Sequence, residues 1–257
     1  MGMQIHHLSI HKLFGLKFVV DSIDNFCCNH TTGVSQRQIN RFHDKLSQLT
    51  QNDKISREAG RYSASPDAIG AMLIIEVDGM NDDIGEALKR VAAAADNDEC
   101  IEINLAETPE AVEKLWKTRK SLSPALRHVA PKKINEDVAV PISSMPALIE
   151  GLERLSGEHD ITIVNFGHAG NGNIHVNLLV NPDDAAEMQR AQSCLAEVFA
   201  LVIALKGTLS GEHGVGLEKR DFISMEIDPV SLRLMHRIKQ QFDPNNILNP
   251  GKTLPPI

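Results

Sequence analysis

Basic residues are in short supply in this chain. Its 257 residues hold 26 lysines and arginines against 34 aspartates and glutamates, a formal charge of −8. Phosphate binding needs a basic surface, so nucleic acid is excluded as the leading partner. No apolar run reaches ~18 residues without a charge, and no transmembrane segment is expected. The N-terminus lacks the succession of basic segment, apolar run and small-residue cleavage site that marks a secretory leader. Cysteine is scarce: Cys27, Cys28, Cys100 and Cys194 form no CxxC pair. Reduced thiols are expected, in a cytoplasmic protein that is free or peripheral at the inner face of a membrane. Cys194 falls among apolar residues and reads as an inert core thiol. Nor does any GxGxxG turn stand between a strand and a helix, which removes the usual Rossmann site.

What is there sharpens from about Pro66 onward. AMLIIEVDG (71–79) reads as a buried strand, and DDIGEALKRVAAAADN (82–97) as a helix with acidic residues in its first turn. ECIEINLA (99–106) alternates Ile101, Ile103 and Leu105 with polar residues, as a half-buried strand does. In TPEAVEKLWKTRKSLSPAL, Thr108 is placed to cap a helix and Pro109 to begin it. EDVAVPI (136–142), DITIVNFG (160–167) and NIHVNLLV (173–180) read as strands, and SMPALIEGLERL (144–155) as a helix. A long helix over 181–207 is expected to stop at Gly207. Another follows over 228–242, capped by Asp228, with Leu232, Met235 and Ile238 as its apolar stripe. This order implies an α+β fold: a mostly antiparallel, ferredoxin-like sheet covered by helices, with a C-terminal helical segment. Residues 1–64 stand apart. They hold five of the eleven histidines; His6, His7 and His11 read as a surface grouping, since no ligand spacing supports a metal site. Only VSQRQINRFHDKLSQL (34–49) has helical periodicity there.

The stretch NFGHAGNGNIHVN (165–177) places two imidazoles on either side of a glycine-rich turn. In the second strand Ile174, Val176 and Leu178 face the core, which turns His175 and Asn177 to the other side. A hairpin brings His168 back toward His175. Taken alone, the two are equally a hydrogen-bonded hairpin pair or half of a metal site. GTLSGEHGVGLEKR (207–220) shifts that balance. Its Glu212 can complete a two-histidine, one-carboxylate set with positions left open for substrate oxygens, and His213 can act as a base near neutral pH.

These two motifs, with the strand EDVAVP and the tail FDPNNILNPGK (242–252), resemble the C-terminal half of FAD-linked oxidases of the vanillyl-alcohol oxidase type. The likeness points to the branch holding the glycolate oxidase flavin subunit, D-lactate dehydrogenase and D-2-hydroxyglutarate dehydrogenase. It runs from about Ser65 to Lys252 and implies that residues 65–257 are the cap, or substrate, domain. The resemblance implies a divalent metal, zinc or another transition ion, on His168, His175 and Glu212. It implies His213 as the catalytic base beside the flavin, and Arg119, Ser123, Lys133 and Asn177 as substrate-binding residues. Asn249 and Gly251 match a tail segment that returns to the flavin domain. A guanidinium at Arg119 suits a carboxylate, which it can bind through two parallel hydrogen bonds. FAD is expected to be held mostly by a domain outside this chain, because residues 1–64 do not resemble that domain. The expected partners are a small 2-hydroxyacid, a separate FAD-binding domain or subunit, and a second copy of the chain in a homodimer. The expected activity is oxidation of a D-2-hydroxyacid to the 2-oxoacid. The alternative is a truncated, non-catalytic cap that binds metal or ligand and turns over nothing.

Overall fold

The computed structural model describes residues 4–12, 71–79, 81–96 and 100–256. The expected helix over 34–49, Cys27 and Cys28, and the side chains of His6, His7 and His11 lie outside what it describes. Among the described residues no helix is long and apolar enough to cross a membrane.

Among the described residues, two three-stranded antiparallel sheets organise the chain. The first is built around a strand that the polar N-terminal sequence did not announce. β1 (Gln4–Lys12) lies between β2 (Ala71–Gly79) and β3 (Cys100–Ala106) and pairs antiparallel with both. Helix α1 (Asn81–Ala95) closes one face, with Leu88, Val91 and Ala92 packed on Ile75, Val77 and Ile103. The apolar alternation of β3 fails at its end: Leu105 is exposed and Ala106 is buried.

The second sheet has the order β4–β6–β5, from β4 (Lys132–Ala139), β5 (Thr162–His168) and β6 (Asn173–Val180). β4 begins four residues earlier than the apolar run EDVAVPI suggests, because Lys132–Asn135 pair with β6 although they are polar. Helix α3 (Met145–His159) joins β4 to β5, and α4 (Ala185–Ala204) follows β6. Both pack on one face. Leu148, Leu152 and Leu155 recur at helical spacing and meet Val198, Phe199 and Val202 of α4 over Val138, Ile174, Val176 and Leu178. Each such side chain removed from water stabilises the fold by about 1.5–3 kcal/mol. Cys194 is buried in this core as a free thiol, and burial pushes its pKa up to about 11.

This β-α-β-β-α order is ferredoxin-like, with its fourth strand cut to one bridge. After α4 the chain returns beside β4, and Ala139 and Thr208 exchange both backbone hydrogen bonds, at 3.1 and 2.8 Å. The left-handed residue at the end of α4 is Lys206 (φ 60°), not the expected Gly207. Gly207 is required for space, since a methyl there would overlap the Ala139 carbonyl oxygen. Freed from a ladder, the chain beyond Leu209 is available as a loop.

Helix α2 (Pro109–Ala125) covers the opposite face of this sheet. Thr108 caps it by accepting from the Ala111 N–H. Its Leu122, with Leu126, packs on Val164, Phe166 and Leu179, and Ile74 of β2 joins the same cluster, tying the two sheets together. A 3-10 segment (Arg220–Met225) leads to α5 (Pro229–Phe242), where Asp228 caps the amides of Val230 and Ser231. Of its expected apolar stripe, Leu232 is buried, whereas Ile238 is exposed.

Candidate active site

The face of the second sheet under α2 sets polar residues of β4 and β6 beside apolar Phe166, Val164 and Leu179. Asp137, His175 and Phe166 lie opposite one another across β4, β6 and β5. Asn135, Asn177 and Val164 form the next row, and Lys133, Leu179 and Thr162 the third. Directly opposed residues share a face, so this one row order brings the tip of β4 and the hairpin histidines together. The turn that allows it depends on Gly172 (φ 74°), whose carbonyl accepts from Val140 at 3.1 Å.

Three groups named from sequence converge at the end of the hairpin. His175 Nε2 stands 3.2 Å from Glu212 Oε1, and His168 Nε2 stands 3.9 Å from the same oxygen. Their ligand atoms all lie within 4.8 Å of one another. The His168 and His175 rings meet edge to face at 5.5 Å. Burial lowers the His175 pKa to about 4, with the charges of His168, His213 and Arg119 acting the same way and Glu212 opposing them. The ring is therefore neutral at neutral pH and has a lone pair for an ion. Two imidazoles and a half-exposed carboxylate suit a divalent transition metal and leave room for other ligands.

Glu212 and His213 come from the loop that replaces the fourth strand. His213 Nε2 lies 3.8 Å from Glu212 Oε1, so its ring borders the cluster. Gly214 (φ 80°) and Gly216 (φ 56°) take conformations open to glycine, and Gly211 passes so close to Asn173 that a side chain would overlap its amide.

Asp137 holds this loop, a residue the sequence reading passed over. Its Oδ2 accepts the N–H of Glu212 and, at 2.9 Å, that of His213. The Lys219 ammonium, 2% exposed, donates to Asp137 Oδ1 and, at 2.7 Å, to its carbonyl oxygen, and lies 3.5 Å from Glu136. Burial alone would raise the Asp137 pKa, but the Glu212 amide, Lys219 and the His213 amide outweigh it and hold the carboxyl below the usual range. In Glu136 burial wins over Lys219 and the pKa rises. The available signal was a charged pair inside the apolar strand EDVAVP and a lysine closing a glycine loop.

The expected substrate residues lie along α2 and the third row. Arg119 sets its guanidinium over the Phe166 ring, 5.2 Å from the centroid. One turn on, Ser123 accepts from Lys133 Nζ at 2.6 Å. Burial, then Arg127, lowers the Lys133 pKa. Asn177 is fully buried; its amide nitrogen donates to the carbonyls of Val164 and His175, and its oxygen has no hydrogen-bond partner. Asn249 and Gly251 sit on the C-terminal tail, not in the cluster. The tail is nonetheless tied to the loop, since Thr253 N–H donates to the Gly216 carbonyl at 2.9 Å and Arg220 to that of Gly251 at 2.8 Å.

Comparison with known proteins places the chain in a family. Residues 27–253 match the family described as FAD linked oxidases, C-terminal domain. The chain is 34% identical over 187 residues to a glycolate oxidase subunit of Bacillus subtilis, covering 73% of this chain and 40% of that protein. It is 36% identical over 153 residues to a D-2-hydroxyglutarate dehydrogenase of Stutzerimonas stutzeri, covering 58% of this chain and 32% of the other. The chain thus spans less than half the length of these relatives. Among solved structures, a p-cresol methylhydroxylase with substrate bound superposes with a TM-score of 0.58 over 97% of this chain and 52% of its own, at 14% identity, which shows a common fold.

Proposed function

Because this chain belongs to the family of FAD-linked oxidase C-terminal domains, we propose that it supplies the substrate half of an enzyme that oxidises a D-2-hydroxyacid to the 2-oxoacid. The observation that carries this reading is the meeting of His168, His175 and Glu212 within 4.8 Å on the sheet face that Arg119 overlooks. A hydroxyacid needs two kinds of grip, one on its carboxylate and one on its hydroxyl oxygen. Arg119 suits the carboxylate, with Ser123 and Lys133 beside it. His168, His175 and Glu212 would hold a divalent ion, whose Lewis acidity would polarise the hydroxyl oxygen. FAD, held by the remainder of the enzyme or by a separate subunit, supplies the acceptor for the hydride from the substrate α-carbon. His213 Nε2 takes the hydroxyl proton, and Asn177 lines the floor. The chemistry balances: one hydride and one proton leave, and a carbonyl forms. Two relatives carry glycolate oxidase and D-2-hydroxyglutarate dehydrogenase in their names, which supports a small hydroxyacid as substrate.

The test is elemental analysis of the purified chain beside His175→Ala. About one equivalent of a divalent transition metal in the wild type, lost in the variant, is expected, since one of three protein ligands goes. An unchanged metal content in the variant removes the site. Turnover of D-lactate or D-2-hydroxyglutarate when the chain is combined with a flavin-binding partner would separate the enzyme from a non-catalytic cap.

A further inference from the structure

Asp137 stands in β4 with its side chain fully buried, beside His175 across the ladder. A carboxylate in that place needs a reason, because desolvating it is costly unless it is fully partnered. Its partners are not scattered. One oxygen takes two successive amides, those of Glu212 and His213, and the other takes Lys219. His213 Nδ1 lies 3.3 Å from Oδ1 as well. The two residues that Asp137 grips are those the proposed function needs from the loop.

We propose that Asp137 is a positioning residue of the site: through the amides of Glu212 and His213 it sets where the Glu212 carboxylate and the His213 ring stand relative to His168 and His175. The metal part of this inference rests on the function proposed above; the loop part does not.

The loop needs such an anchor. Gly211, Gly214 and Gly216 leave its backbone with more freedom to lose than any other residue type would. Elsewhere the loop is held at its shoulders, by Leu209 N–H on Glu226 and by Gly214 N–H on the Ser210 hydroxyl, both at 2.8 Å. At its centre both amide donors of Glu212 and His213 go to Asp137. One oxygen bonded to two consecutive amides fixes the peptide plane between them, and with it the direction of both side chains. A carboxylate beside Nδ1 favours the neutral tautomer that carries its proton there, which leaves the Nε2 lone pair on the side of Glu212. Lys219 offsets the buried charge, so the pair can lie dry behind the site without acting in it.

The experiment uses paired variants in a Glu136→Gln background, since Lys219 also faces buried Glu136, so that no charge is left buried alone: Asp137→Ala/Lys219→Met, and the near-isosteric Asp137→Asn/Lys219→Met. Amide exchange on metal-free chain is read first. In the alanine variant the Glu212 and His213 amides should lose protection while the β5–β6 ladder keeps its own, and the asparagine variant should recover part of it. Nitrogen-15 spectra of neutral His213 should move from the Nδ1-protonated tautomer toward the other. Cobalt(II) affinity is then measured in a cycle with Glu212→Gln. The alanine variant should bind about 10–100-fold more weakly and lose nothing further in the Glu212→Gln background. Protection of both amides retained without Asp137, or a ladder that loosens together with the loop, overturns the proposal. So does an equal fold-loss of cobalt affinity in both backgrounds. If the wild type binds no cobalt, the metal reading fails and the exchange result alone decides the positioning.

Discussion

The imidazoles of His175 and His213 lie face to face, with ring centroids 5.3 Å apart and planes inclined by 21°. One ring rises from a buried strand and the other descends from a loop, where it stays partly open to solvent. Two stacked imidazoles are poor neighbours when both are charged. Burial resolves the conflict on the strand side, where His175 stays neutral down to about pH 4.

That neutrality has a consequence for stability. An unfolded histidine takes up its proton near pH ~6.5. Between that value and the folded value of about 4 the unfolded chain binds a proton that the native chain refuses, so stability falls as pH drops through this window. Urea denaturation of metal-free protein at about pH 7 and about pH 5 should show a larger loss for wild type than for His175→Asn. Equal losses would assign the effect to other groups.

Gly172 and Gly214 separate crowding from backbone strain. Both have positive φ, but a methyl at Gly172 would overlap the Val140 carbonyl, whereas Gly214 has nothing nearby. Gly214→Ala should cost about 1 kcal/mol, the strain of the left-handed conformation alone. Gly172→Ala should cost several-fold more and shift the His168 and His175 resonances. Similar melting temperatures for the two variants would contradict the packing described at Val140.

Phe166 is the platform for Arg119. A cation over an aromatic ring is worth about 0.5–1 kcal/mol at an accessible site. Phe166→Leu keeps the apolar contact with Leu122 and Leu126 but removes the ring face. Binding of a 2-hydroxyacid, followed by titration calorimetry, should weaken about 2–5-fold. Unchanged affinity would mean that the ring does not orient the guanidinium.

Lys219→Met removes the cation shared by Asp137 and Glu136. Breaking a buried pair leaves uncompensated charge and costs about 3–5 kcal/mol. Denaturant unfolding is the measurement, and a loss within experimental error would show that the two carboxyl groups do not depend on Lys219.

Much of this was legible in the sequence because the period was plain. The alternation in NIHVNLLV put Ile174, Val176 and Leu178 on one face and His175 on the other, as found, although both faces are buried. The glycines around His168 announced the turn, and EHG announced the loop. Asp137 was missed because its value is tertiary: its partners arrive 75 and 76 residues later in the chain. β1 was missed because its pattern is His-rich and polar, and its neighbours in the sheet are distant in sequence. Gly207 was read as a helix stop, whereas its task is close passage beside Ala139. Leu105 shows the limit of alternation, which gives the face of a residue but not whether anything covers it.

The Lys219 ammonium also bears on solubility. Among the described residues β4 is an outer strand of its sheet, paired on its outer side through the bridge at Ala139. By donating to the Asp137 carbonyl, Lys219 takes the place of an incoming strand's amide and sets a desolvated cation in its path. Charges directed inward at an edge are a common defence against strand-to-strand aggregation. The cation that offsets Asp137 thus also occupies a backbone acceptor that a further strand would otherwise use.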